Sequence, residues 1–326
     1  MSRLSLAIVT PALAAANNGN WHTARRWARM LGSRYRVRLA DAWDDGDEAG
    51  MIALHARRSA ASIAAWHARH PGRPLVVVLT GTDLYRDIDF DAAAQRSLML
   101  ADALVVLNEL GAHRLPAALR AKAQVVLQSS PARAALARTA HHLRALMVGH
   151  LRDEKDPRTY WRAAERLAAR RDIRLDHIGS ALEPALGAQA TALAAGRPQF
   201  RWLGGRPHDE VRRRVQRAHV LVNASRMEGG AQVVIEAIRS GTPVLASRID
   251  GHLGLLGDDY EGLFAPGDDA ALAALLARAR DDRDMLPRLA ATLAARSPRF
   301  APQAERAALL ALVGRLLARA PDASTP

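Results

Sequence analysis

Two glutamates stand eight residues apart, Glu228 and Glu236, and two glycines, Gly229 and Gly230, directly follow the first. Paired carboxylates can act as acid and base in glycoside cleavage. A carboxylate set inside a helix beside a small-residue loop is better suited to holding sugar hydroxyls. Glycines that open a helix leave backbone amides free to meet an anion. The pattern predicts a helix over 229–241, closed by Gly241-Thr242-Pro243 before the next strand. The bland alternative is an acidic helix start with one buried polar glutamate.

Three further loops carry reactive side chains. In VGHLRDEKDP, residues 148–157, His150, Arg152 and Lys155 precede a helix that starts near Pro157. Cations gathered there can balance a diphosphate, with lysine as a compact point charge. A surface Glu154/Lys155 pair is the simpler reading. In LTGTDLYRD, residues 79–87, Thr80, Gly81, Thr82 and Asp83 face the ligand side, followed by Tyr85 and Arg86. Thr82 or Asp83 could equally cap a helix. Asn17, Asn18, Gly19 and Asn20 form a small-residue loop ahead of a helix, suited to backbone approach to a phosphate or sugar. Ordinary turn chemistry with Asn20 as N-cap fits the same residues.

These loops need a scaffold that presents them together. Short apolar runs at 4–10, 36–40, 75–80, 103–107, 124–127, 145–149, 173–178, 200–203, 219–223 and 243–247 read as strands. Amphipathic segments at 20–32, 57–69, 109–120, 157–171, 207–217 and 229–241 alternate with them. This rhythm predicts parallel sheets with crossover helices. It plays through to about residue 127 and restarts near 145, with a strandless 128–142 linker. The expectation is two doubly wound, Rossmann-like α/β domains facing a cleft, at 1–143 and 144–298, with a C-terminal helix (299–326) packing back on the first. Doubly wound sheets bind ligands at the carboxyl ends of their strands, where the four loops fall.

Composition narrows the partners. There are no cysteines, which excludes disulfides, thiolate metal sites and cysteine nucleophiles and suits a cytoplasmic protein. No apolar stretch reads as a signal peptide or membrane span, so no stable membrane insertion is expected. The formal charge is +13, yet only Lys122 and Lys155 are lysines, and the arginines are spread along helices. That distribution reads as solvated helix faces, and no nucleic-acid partner is expected. No Asp-x-Asp has strand context, so no metal or other cofactor is expected. The acidic DDGDE at 44–48 reads as a solvated loop.

The Glu228–Glu236 spacing, Gly-Thr-Pro-Val at 241–244 and Gly-x-Leu-x-x-x-Lys at 149–155 resemble retaining GT-B glycosyltransferases of the glycogen-synthase-like, family-four type. The resemblance spans nearly the whole chain and is most specific between 148 and 267. It implies a GT-B fold, with Glu228 touching the donor sugar and Glu236 the nucleotide ribose. It places Lys155 and Arg152 on the diphosphate, making Lys155, Arg152 and Glu228 the catalytic set. Gly229, Gly230, Ala231 and Gly19 join Glu236 as nucleotide contacts. Asn20, Thr80, Gly81, Thr82, Asp83, Arg226 and His150 are the sugar or acceptor contacts. Two positions depart from the family: His150 replaces the arginine that usually follows the glycine, and Thr80 replaces a histidine before Gly-Thr-Asp.

Together with LTGTDLYRD, the run SRMEGGAQVVIEA at 225–237 is similar to selenosugar synthases of selenoneine biosynthesis. That resemblance implies transfer from a UDP-sugar, typically UDP-N-acetylglucosamine, onto selenophosphate, with the UDP-sugar as co-substrate rather than cofactor. Selenophosphate is already anionic and nucleophilic, so it needs a positive pocket and no general base. Thr80, Arg86 and Arg226 fit that requirement. The competing readings are a glycosyltransferase with a lipid or small-molecule hydroxyl acceptor, and a nucleic-acid-binding protein using the positive charge.

Overall fold

The computed structural model describes residues 3–11, 13 and 19–319; Asn17 and Asn18 lie outside them. The chain divides into two compact units, Met1–Gln128 with Glu228–Gly230 and Pro302–Pro326, and Ser129–Met227 with Ala231–Ala301.

The first unit holds a parallel sheet of β1 (Ser5–Val9), β2 (Arg36–Ala40), β3 (Gly50–Leu54), β4 (Leu75–Leu79), β5 (Ala103–Val106) and β6 (Ala123–Val125), in the order β2-β1-β3-β4-β5-β6. Central strands such as LVVVL in β4 are apolar throughout because both faces are buried beneath helices. The order reverses beside β1, so the carboxyl ends of β1 and β3 flank the switch point. On one face α1 (Gly19–Leu31) packs against α12 (Pro302–Arg319), burying Trp27, Leu31, Leu309, Leu312 and Val313. Buried Glu305 fastens the two helices, accepting from Trp27 Nε1 at 2.7 Å and Arg26 Nε at 2.9 Å.

The second unit contains β7 (Leu143–Val148), β8 (Ile173–Ile178), β9 (Phe200–Trp202), β10 (Val220–Asn223), β11 (Val244–Ser247) and β12 (Leu263–Phe264). Their order is β12-β11-β10-β7-β8-β9, all parallel, with the switch point between β7 and β10. Residues 129–139 ahead of β7 form neither helix nor strand.

All ten expected strands are present, and the differences have local causes. β3 was not foreseen, because GMIAL is a short run following an acidic loop. The 109–120 segment forms two 3-10 turns, Gly111–Arg114 and Ala117–Lys122, because Pro116 bars a continuous helix. Alanine covers every side of helix α6 (Pro184–Gly196), leaving no amphipathic stripe to read. The DDGDE loop is solvated only in part. Glu48 is buried, accepting from Arg38 Nε at 2.5 Å and Trp43 Nε1 at 3.2 Å. Burial pushes its carboxyl pKa up, but those two bonds outweigh it and hold the group below the ordinary range.

Candidate active site

In the second unit the loop after β7 carries the predicted cations. Gly149 N donates to Ile178 O at 2.9 Å and Leu151 N to Ser180 O at 2.9 Å, so the loop leaves the sheet alongside β8. The approach is close enough that a Cβ on Gly179 would sit 1.8 Å from Gly149 O. Lys155, in the 3-10 turn Asp153–Lys155, lays its stem over Gly149, whose added Cβ would lie 3.5 Å from Lys155 Cγ and Cδ. Arg152 brings a buried Nε that has no hydrogen-bond partner. An unmet buried donor of this kind costs about 1–3 kcal/mol until an acceptor arrives. Ser180 N donates to His150 Nδ1 at 3.2 Å. Burial first, then the charges of Arg152 and Lys155, lower the His150 pKa. His150 is thus neutral at pH 7 and supplies no charge in place of an arginine.

The loop after β10 lies against this one. Arg226 N donates to Glu154 O at 2.9 Å, and Arg226 Nε pairs with Asp156 Oδ2 at 3.3 Å. Buried Asp156 has φ +42 and also accepts from Thr159 Oγ1 at 2.8 Å, fixing the step into helix α5 (Pro157–Arg166). Asn223 Oδ1 accepts from Ser225 N and Oγ, while Ser247 Oγ donates to Ser225 O. The two loops of the switch point are therefore one hydrogen-bonded assembly.

The expected 229–241 helix is shorter: α8 spans Gln232–Ile238. Gly229 and Gly230 precede it, and Ala231 stands at its N-cap in the left-handed conformation, φ +38, a strained setting for a side chain. At the other end Gly241 has φ +64 and Thr242 N reaches back to Ala237 O at 2.9 Å, the glycine-dependent stop. Glu236 is buried on α8, and His208 Nε2 lies 2.9 Å from its Oε1. His208 begins helix α7 (His208–Arg217).

In the first unit Asp83 organises the 80–83 loop. Its buried carboxylate accepts from Thr80 N at 2.8 Å, Gly81 N at 2.9 Å and Ala56 N at 3.0 Å. With those bonds made, Asp83 orders the loop's backbone. Thr82 lies in the short helix α3 (Thr82–Tyr85), and its Oγ1 is 3.1 Å from His55 Nε2. Arg58 N donates to His55 Nδ1 at 3.3 Å, so Nε2 is the protonated nitrogen of the neutral ring. Burial lowers the His55 pKa, opposed by Asp83. His55 has φ +74 at the carboxyl end of β3, backbone strain placed beside the switch point. Glu228–Gly230 belongs to this unit: buried Asn108 Nδ2 donates to Gly229 O at 2.8 Å, and a Cβ on Gly229 would lie 2.3 Å from Thr80 O. Glu228 is buried as well. Gly19 and Asn20 open α1, so Asn20 lies in its first turn rather than at its N-cap. Arg86 pairs with Asp87 at 3.1 Å.

Sequence reasoning missed His55, Asn108, His177 and His208. The carboxyl-end rule applied to the 103–107 strand would have found Asn108. His177 is fully buried, accepting from Trp161 Nε1 at 3.1 Å and lying 3.2 Å from Gly149 O, so it props the cationic loop from beneath. Burial pushes its pKa down to about 4. The unfolded chain takes up a proton near pH 6.5 that the folded chain refuses until about pH 4. Stability therefore falls as pH drops through that window, by about 3 kcal/mol at most from this group. Denaturant unfolding at pH 7 and pH 4.5 should show the loss, and His177→Gln should reduce the difference. An unchanged pH dependence in that variant would discard the assignment.

Among the described residues no three His, Asp or Glu side chains gather as a metal-ligand set, and no helix is long and apolar enough to cross a membrane.

The family model described as glycosyl transferases group 1 matches residues 128–294, just over half of the chain. The chain belongs to the group 1 glycosyl transferases. No curated protein matches it. Solved structures do. Sucrose-phosphate synthase from Thermosynechococcus elongatus superposes with a TM-score of 0.77 at 17% identity, over 97% of this chain and 100% of that one. Anabaena HepE, in complex with UDP-glucose, superposes at 0.76 with 14% identity, over 96% and 100%. The pneumococcal O-GlcNAc transferase GtfA, in complex with UDP and GlcNAc, gives 0.65 and 16%, over 82% and 57%. At these identities the likeness is one of fold: this glycosyl transferase is built from two parallel-sheet, Rossmann-like domains of the GT-B type.

Proposed function

We propose that this glycosyl transferase moves a sugar, N-acetylglucosamine in the first instance, from its UDP conjugate onto selenophosphate. Selenium attacks the anomeric carbon, the bond from that carbon to the β-phosphate oxygen breaks, and UDP departs with the electron pair. The observation that carries the donor half is the cationic loop at the β7/β10 switch point. Lys155 and Arg152 stand there together, and Arg152 holds a buried donor without a partner. A diphosphate developing charge as it leaves matches both groups. HepE and GtfA, which share the fold, are solved with UDP or UDP-glucose, and that supports UDP as the nucleotide. Glu236, oriented by His208, takes the ribose hydroxyls, and Glu228 the sugar.

The acceptor half rests on the resemblance of LTGTDLYRD and SRMEGGAQVVIEA to selenosugar synthases, and on Thr80 where the family carries histidine. Selenophosphate brings its own negative charge, so Arg226 has a role through the half-exposed part of its guanidinium that Asp156 leaves open. No metal takes part in this scheme, because Lys155 and Arg152 carry the neutralising charge, and activity should survive EDTA.

Product mass spectrometry with selenophosphate, thiophosphate, inorganic phosphate and simple alcohols offered side by side tests the acceptor. The expected product carries selenium on the sugar, visible in its isotope pattern. Arg226→Gln should raise the selenophosphate requirement more than that for the UDP-sugar. Transfer to an alcohol with none to selenophosphate would discard selenophosphate and retain the glycosyl transferase.

A further inference from the structure

The second unit carries another basic cavity, between β7, β8 and α7. It has a volume of about 260 Å³ and is lined by Arg144 and Leu146 of β7, Asp176 of β8, and Glu210, Arg213, Arg214 and Arg217 of α7. Leu146 pairs with Asp176, and Asp176 with Arg201 of β9, so these side chains share one sheet face. Glu210, Arg213, Arg214 and Arg217 recur at helical spacing on one side of α7.

Both acids are already engaged. Asp176 accepts from Arg201 Nε and a terminal nitrogen at 2.8 Å each, and Glu210 accepts from Arg214 Nε at 2.9 Å. Arg213 and Arg217 have neither hydrogen bond nor ion pair among the described residues. Arg144 Nε is buried without a hydrogen-bond partner, 3.9 Å from Asp176 Oδ2. Arg213 and Arg217 are exposed at the cavity rim, and Arg144 turns a terminal nitrogen to His142 Nε2 at 3.3 Å while its Nε stays unmet, around a space sized for a small ligand where planar forks suit phosphate oxygens. The pKa of neighbouring His142 is lowered, by burial first and then by the charges of Arg174 and Arg144. The cavity begins at the amino end of β7. Five residues at about 3.3 Å each, roughly 16 Å, separate Arg144 from Gly149.

We infer that this cavity is a second anion site, which takes a soluble small molecule bearing one or two phosphate groups. This inference does not rest on the proposed donor or acceptor.

Inorganic pyrophosphate, titrated calorimetrically into the full chain, is the probe. Because it can also enter the Lys155 loop, the titrations are repeated in Lys155→Ala. In the Lys155-intact chain Arg213→Gln/Arg217→Gln should remove one of the two sites, and in the Lys155→Ala background it should weaken binding at least tenfold. Arg25→Gln/Arg29→Gln, which removes the same charge from exposed positions on α1, should leave it unchanged. Equal losses in the two double variants would reduce the effect to general electrostatics and overturn the site. No saturable binding, or binding abolished by Lys155→Ala and untouched by Arg213→Gln/Arg217→Gln, would overturn it as well.

Discussion

Lys155→Ala should lower kcat about 10²-fold or more while the chain stays folded. The ammonium gains most as the leaving diphosphate acquires charge, so the loss falls on the chemical step more than on ground-state binding. Structure gives reasons to expect an undisturbed fold. Only an added Cβ on Gly149 would reach the lysine stem at ordinary contact distance, and the loop is also held by Gly149 N, Leu151 N and the Arg226–Glu154 backbone bond. Steady-state kinetics with circular dichroism on the same samples checks both parts. A folded variant with wild-type turnover would make Lys155 a surface cation and remove it from the reaction.

Glu236→Ala should weaken UDP binding about ten- to a hundredfold, or roughly 1–3 kcal/mol, the scale of a charge-assisted hydrogen bond lost at a buried site. Glu236 is buried on α8 with His208 on one oxygen. That contact orients the carboxylate, so His208→Ala should weaken UDP binding in the same direction but by less. Calorimetry on folded variants measures both. Unchanged UDP affinity in Glu236→Ala would rule out the ribose contact.

How much of this was legible follows from what each feature depends on. Strands such as LVVVL at 75–79 announce themselves because burial on both faces demands unbroken apolar sequence. The cationic loop was legible for a related reason: it sits where a strand ends and Pro157 starts a helix. His55 was hidden because β3 was, and a residue at a strand's carboxyl end cannot be placed without the strand. The His208–Glu236 pair joins residues 28 apart through tertiary packing, which no local pattern encodes. The same holds for Gly179, whose missing side chain is needed only because Gly149 O passes over it. The sequence overextends the 229–241 helix because no local signal separates glycines that open a helix from glycines that precede one; here they precede α8, and Asn108 and Thr80 surround Gly229. Net charge was the least informative signal, since many arginines are spent in ion pairs such as Arg170 with Asp172 and Asp281.

The identity of the donor is the point on which the roles of Lys155, Arg152 and Glu236 all turn. Nucleotide release from UDP-, GDP- and ADP-N-acetylglucosamine, each with selenophosphate present and absent, measures it most directly. The expected result is UDP formed from the UDP-sugar alone, one for each sugar transferred, with wild-type protein and at least a hundredfold more slowly with Lys155→Ala. Turnover of the GDP- or ADP-sugar with none of the UDP-sugar would contradict it.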